Sequence, residues 1–141
     1  DFTFAGQSSR FTLAYTAAGL SPDGSSTWFL PRLIGLRRAR ELMLTNRMLS
    51  ADEAYDLGIV DRVVPDDTLA DEAMAQATAF ATGPTKAYGA TKRLLQDTWT
   101  NGLETQMDRE TRSISDLTRT ADAREGIDAF VNKRKPSFEG N

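Results

Sequence analysis

Two side chains on which much enzyme chemistry rests are missing altogether: the 141 residues contain no cysteine and no histidine. The first absence excludes disulfides, thiol nucleophiles and cysteine-ligated metals. The second removes Ser-His-Asp and Cys-His relays and any histidine-based zinc site. Proton transfer within this chain is therefore left to Asp, Glu, Tyr or Lys. No apolar run approaches the roughly 20 residues that span a bilayer, and no basic stretch precedes an apolar one as a leader would require. With 17 Lys and Arg against 20 Asp and Glu, the net charge is −3, so no broad basic field favours a nucleic acid partner. Internal repeats and low-complexity tracts are lacking too.

What is present is the balance of a soluble globular chain. Hydrophobic residues make up 40% and charged residues 26%, enough for about one domain's core. The sequence opens on Asp1 rather than Met, with a β-prone run and no preceding turn or cap, so processing or an engineered boundary is expected upstream.

Phe2 to Ala5 and Arg10 to Leu13 read as two short strands around the turn Gly6-Gln7-Ser8-Ser9. The stretch from Ala17 to Thr27 is rich in breakers and small residues and predicts a tight loop ending in a helix N-cap. Short helices follow from Trp28 to Leu33, Leu36 to Leu44 and Ala51 to Leu57, separated by Gly35 and Asn46. Ser50 with Glu53 makes a capping box for the third, and Gly58 stands where a C′ residue belongs. Ile59 to Val64 reads as a strand closed by Pro65. Beyond it the pattern is helical: Asp67 to Ala81, Thr85 to Trp99, Leu103 to Thr118 and Asp122 to Lys133. Asp122 with Glu125 repeats the box pattern, and Pro136 is the expected stop. Ala70, Ala73, Met74, Ala77 and Phe80 fall on one face, as do Ile127, Phe130 and Val131, and these faces need a partner.

Four ordered segments carry a family resemblance. They are Phe11 to Trp28, Leu33 to Ala54, Leu57 to Val64 and the tail Arg124 to Pro136. Together they resemble the second half of the crotonase (enoyl-CoA hydratase/isomerase) superfamily, whose chains are about twice as long. The resemblance implies an α/β fold class: residues 1–64 as the remnant of the crotonase spiral core with its active-site loop, and 65–141 as a helical assembly region. It implies an acyl-CoA thioester substrate, with coenzyme A as part of the substrate and no further cofactor or metal. Homotrimers or dimers of trimers, a cytoplasmic location and a role in fatty-acid or aromatic catabolism are likewise implied, with neither nucleic acid nor membrane as partner. The two backbone N–H groups that stabilise the thioester enolate in this family lie upstream of Asp1 by this match, so the chain alone is expected to be inactive.

Within the resemblance, the second glutamate of the hydratases falls at Tyr15, whose phenol is too weak an acid to replace a carboxylate as base near neutrality. Tyr15 is then either an aromatic pocket wall or an acid/base group. Asp23, in the Pro22-Asp23-Gly24 turn, stands where some isomerases of the superfamily carry a proton-shuttling acid and where aryl-CoA dehalogenases carry a nucleophile; the turn alone would also account for it. Gly24, Ser25 and Trp28 are candidate substrate contacts. Ser25, Ser26 and Thr27 are equally a helix cap. Phe130 and Lys133 are candidate CoA contacts, Lys133 belonging to the basic cluster Lys133-Arg134-Lys135 that also suits a solvated helix end. Three functions follow: isomerisation or hydration through a thioester enolate, aryl-CoA dehalogenation with Asp23 as nucleophile, or a non-catalytic helical assembly module.

Overall fold

The two strands expected around Gly6-Gln7-Ser8-Ser9 both form, in shortened versions, but they do not pair with each other. The computed structural model describes residues 1–141. In it β1 (Phe4–Gly6) runs parallel to β4 (Arg62–Val64) with Ala5 opposite Val63, while β2 (Arg10–Phe11) runs antiparallel to β3 (Leu49–Ser50) with Phe11 opposite Leu49. The intervening turn redirects the chain instead of closing a hairpin. Gln7 N–H continues the parallel ladder to the Val64 carbonyl, the Asp66 carboxylate accepts the Ser8 N–H and hydroxyl, and the Arg10 guanidinium donates to the Ser8 and Ser9 carbonyls. Gly6 permits this close approach, because a Cβ there would lie 2.1 Å from an Asp66 carboxylate oxygen.

The chain divides into two compact units, 1–74 and 75–141. In the first, α1 (Ser26–Ile34), α2 (Leu36–Thr45) and α3 (Ala51–Asp56) form where the caps place them. Ser50 Oγ accepts the Glu53 N–H and the Glu53 carboxylate accepts the Ser50 N–H, completing the capping box. Asn46 closes α2 in the left-handed region at φ 54°. The expected strand from Ile59 is shorter than its β-formers suggest. The N–H groups of Ile59 and Val60 both turn back to the Ala54 carbonyl, capping α3, so only Arg62 to Val64 is free for the ladder.

Two packed clusters hold this unit. Ala5, Ala51, Ala54 and Val60 let α3 approach the sheet closely, and Ile34, Ala39, Leu42 and Leu49 seat α2; Phe11 and Ile59 touch both clusters and join them. The largest of the buried side chains in the two clusters are branched aliphatics, so removing one leaves a void the neighbours fill poorly.

After a 3₁₀ turn over Asp66–Thr68 comes α4 (Leu69–Ala81), which enters the second unit. That unit comprises α5 (Thr85–Asp97), α6 (Leu103–Leu117), α7 (Ala121–Val131) and the tail. The Asp122–Glu125 box does not form. Thr120 caps α7 two residues earlier, accepting the Ala123 N–H, and Asp122 is drawn into the tail. Nor is Pro136 the stop: α7 ends at Val131, with Lys133 in the left-handed region at φ 52° and the Arg134 N–H bonded to the Ala129 carbonyl. The apolar faces named above are only partly covered within the chain: Phe80 of α4 packs edge-on against Tyr88, while no residue of α4 is buried, Met74 is 67% exposed and Phe130 85%. No helix is long and apolar enough to cross a membrane.

Candidate active site

The breaker-rich stretch after β2 folds into a loop that brings Tyr15 and Asp23 together. Tyr15 begins a 3₁₀ turn over Thr16–Ala18, and Gly19, at φ 72°, reverses the chain while its N–H bonds to the Thr16 carbonyl. The Leu20 N–H also bonds back to the Tyr15 carbonyl, so the chain doubles over on itself. Asp23 thereby returns to Tyr15, whose phenol donates to a carboxylate oxygen of Asp23 at 2.8 Å. The hydrogen bond, and then the charge, of Asp23 raise the Tyr15 phenol above the ordinary tyrosine range. Tyr15 is half-buried and Asp23 exposed. The bond engages one carboxylate oxygen with a neutral donor and leaves the other open to accept a proton from outside.

Beyond Asp23 the loop runs into α1. Ser25 occupies the N-cap position at φ 63°, a left-handed conformation, and caps with its carbonyl, which accepts from Trp28 and Phe29; its hydroxyl makes no capping bond. The Ser26 hydroxyl instead turns back to the Asp23 carbonyl at 2.7 Å. Gly24 and Ser26 line a groove of about 520 Å³ whose other walls include Phe11, Leu13, Phe29, Leu30 and Leu33. The loop therefore borders an apolar hollow large enough for part of a small ligand.

Of the remaining expected contacts, Trp28 does not line this groove: the Arg32 guanidinium lies over its ring at 3.5 Å from the centroid. Phe130 and Lys133 belong to the second unit. There Phe130 lines a separate groove of about 450 Å³ with Ile114, Ile127 and Phe138, and Lys133 is exposed at the end of α7. No group of three or more Asp or Glu side chains is arranged to hold a metal ion.

Two residues were not singled out for a site by the sequence and are set by the structure. Asn46, read there only as a helix separator, lies against the turn that carries Tyr15. Asp122, read as a cap, is buried at 5% exposure and accepts the N–H groups of Glu139 and Gly140. A signal existed for the first, since asparagine at a helix end is a left-handed cap with a spare amide. None existed for the second.

The sequence model of the enoyl-CoA hydratase/isomerase family matches residues 1–141. The 1,2-epoxyphenylacetyl-CoA isomerase of Escherichia coli K12 is 42% identical over 140 residues, covering 99% of this chain and 53% of its own. A 4-chlorobenzoyl coenzyme A dehalogenase of an Arthrobacter species is 36% identical over 104 residues, covering 74% of this chain and 38% of its own. The crystal structure of an enoyl-CoA hydratase from Bacillus anthracis superposes with a TM-score of 0.92 at 34% identity, covering 100% of this chain and 55% of that one. This chain spans about half the length of the curated relatives it matches. A family match that spans residues 1–141 and a shared fold together assign it: the chain belongs to the enoyl-CoA hydratase/isomerase family.

Proposed function

We propose that the protein containing this chain acts on an acyl-CoA thioester through its enolate, and that Asp23 carries a proton from one carbon of the acyl group to another, a double-bond isomerisation. The observation that carries the reading is the 2.8 Å bond from the Tyr15 phenol to Asp23. A single carboxylate held by a neutral donor can take a proton and return it elsewhere without any net change in the enzyme. Tyr15 itself is a poor base, because its phenol is raised, and serves to orient the carboxylate. Two-glutamate hydration is disfavoured by the same substitution. The 42% identity to a 1,2-epoxyphenylacetyl-CoA isomerase is in keeping with this reading, and a probable enoyl-CoA hydratase of Rhodobacter capsulatus is 38% identical.

The groove walls of Phe11, Leu13, Phe29, Leu30 and Leu33 suit the apolar acyl portion. Phe130 and Lys133 are proposed to meet the CoA moiety. The reaction needs no cofactor beyond the CoA of the substrate, and the partly covered helix faces are proposed to pack in a homotrimer or a dimer of trimers. The oxyanion hole is supplied by residues outside this chain.

A second reading is favoured by the dehalogenase relative: Asp23 attacks an aryl-CoA ring carbon, halide leaves, and water then hydrolyses the aryl ester formed on Asp23. One experiment separates the two. In the full-length enzyme in deuterated water, isomerisation predicts exchange of substrate protons next to the thioester carbonyl, abolished in Asp23→Asn, with about 10²- to 10⁴-fold loss of turnover. A mass-trapped covalent adduct on Asp23, without exchange, would instead establish the nucleophile. Asp23→Asn with parental turnover would sink both, whereas a parent enzyme that neither exchanges substrate protons nor forms an adduct would leave the helical-assembly reading.

A further inference from the structure

We infer that Asn46 is a positioning residue for the Tyr15–Asp23 pair; this rests on the reading of Asp23 as the proton carrier. The residue ends α2 in a left-handed conformation, its N–H bonded to the Leu42 carbonyl. That backbone geometry is met equally well by glycine, so the cap alone does not call for an amide side chain. The amide does something else. Its oxygen accepts the Ala17 N–H at 3.2 Å and lies 3.0 Å from the Thr16 hydroxyl. The same hydroxyl is 2.8 Å from the Met43 carbonyl, and the Thr12 hydroxyl donates to the Asn46 carbonyl at 3.1 Å.

These bonds bracket Tyr15. Thr12 is held three residues before it, and Thr16 and Ala17 directly after it. The platform that holds them is firm, because Ala39, Leu42 and Met43 of α2 are buried. Tyr15, by contrast, stands at the head of a three-residue turn with no buried residue. A short exposed turn left to itself samples several conformations, and a phenol displaced by even an ångström no longer reaches the carboxylate. Asn46 thus transfers the rigidity of α2 to Tyr15, and through Tyr15 to the orientation of Asp23, without touching Asp23 or a substrate.

The test is Asn46→Gly in the full-length enzyme, which keeps the left-handed cap and deletes the side-chain amide. Tyrosines labelled at ¹³Cζ give a Tyr15 resonance, identified by its loss in Tyr15→Phe. The Tyr15 titration is expected to move down toward the ordinary tyrosine range, and kcat to fall by about 3- to 10-fold with KM within about twofold. Asn46→Asp retains the acceptor oxygen and is expected to restore both. Thr16→Val removes the hydroxyl that lies between the Met43 carbonyl and the Asn46 amide oxygen and is expected to move the Tyr15 resonance in the same direction, which keeps the test open if Asn46→Gly folds poorly. A parental Tyr15 titration in Asn46→Gly overturns the inference whatever the turnover. Parental turnover in Asp23→Asn, with the Tyr15 resonance still shifted by Asn46→Gly, refutes the reading of Asp23 and leaves the geometric role of Asn46 standing.

Discussion

Asp122→Ala is the perturbation whose consequence the structure defines most closely. Its carboxylate is almost wholly buried and accepts two backbone N–H groups of the tail, from Glu139 at 2.8 Å and Gly140 at 2.9 Å, while its own N–H bonds to the Asn141 carbonyl. The tail is also seated by Phe138, whose ring would meet a Cβ on Gly126 at 3.4 Å. Hydrogen bonds to a charged acceptor are worth about 1.5–3 kcal/mol each when made inside a protein. A released chain end recovers hydration of its N–H groups and its conformational freedom, which offsets much of that loss. The net cost of the substitution is therefore about 2 kcal/mol, and it falls on tail docking rather than on the whole unit. Two kcal/mol corresponds to roughly thirtyfold faster amide exchange at Glu139 and Gly140. Hydrogen exchange on the full-length protein, resolved by residue, measures this directly. Asp122→Asn keeps one acceptor oxygen and should accelerate exchange by about fivefold, for a loss of about 1 kcal/mol. Unchanged protection at Glu139 and Gly140 in Asp122→Ala would refute the reasoning, as would an equal loss spread through α5 and α6.

Two further outcomes follow from the same structure. Leu42→Ala opens a void among Ile34, Ala39 and Leu49, with Leu42 only 3% exposed; it should cost about 2–5 kcal/mol, read as a lower denaturant midpoint at unchanged slope. Glu125 is held at about 2 by its hydrogen bonds from the Arg134 guanidinium and then from the Ser137 N–H. Because its folded value is depressed, its contribution to stability is complete above about 4.5 and is lost as pH falls from there through about 2. A carboxyl ¹³C titration should find that low midpoint, and Arg134→Gln should move it upward toward the ordinary glutamate range.

The sequence by itself determined where helices begin and end wherever the deciding bonds join near neighbours. Ser50 and Glu53 announce α3 because the two bonds of the box span three residues. Asn46 and Gly58 mark turns because few other residues adopt positive φ cheaply. The loop with Tyr15 and Asp23 was legible as a candidate site through its resemblance to a family, not through any local rule. What only the tertiary structure decided is which distant groups meet. The opening strands look like hairpin partners, yet β1 pairs with β4 some 58 residues away, as the bond from Thr3 to Asp61 also does. Ile59 and Val60 are excellent strand formers whose N–H groups are captured by the end of α3. Asp122 resembles a helix cap, but its partners lie 17 and 18 residues downstream. Asn46 reaches back 29 residues to Ala17. Caps and turns are selected by the steric and hydrogen-bonding preferences of adjacent residues, which the sequence spells out. Pairings across tens of residues are selected by whether the intervening chain can close and bury apolar surface, and that is a property of the whole unit.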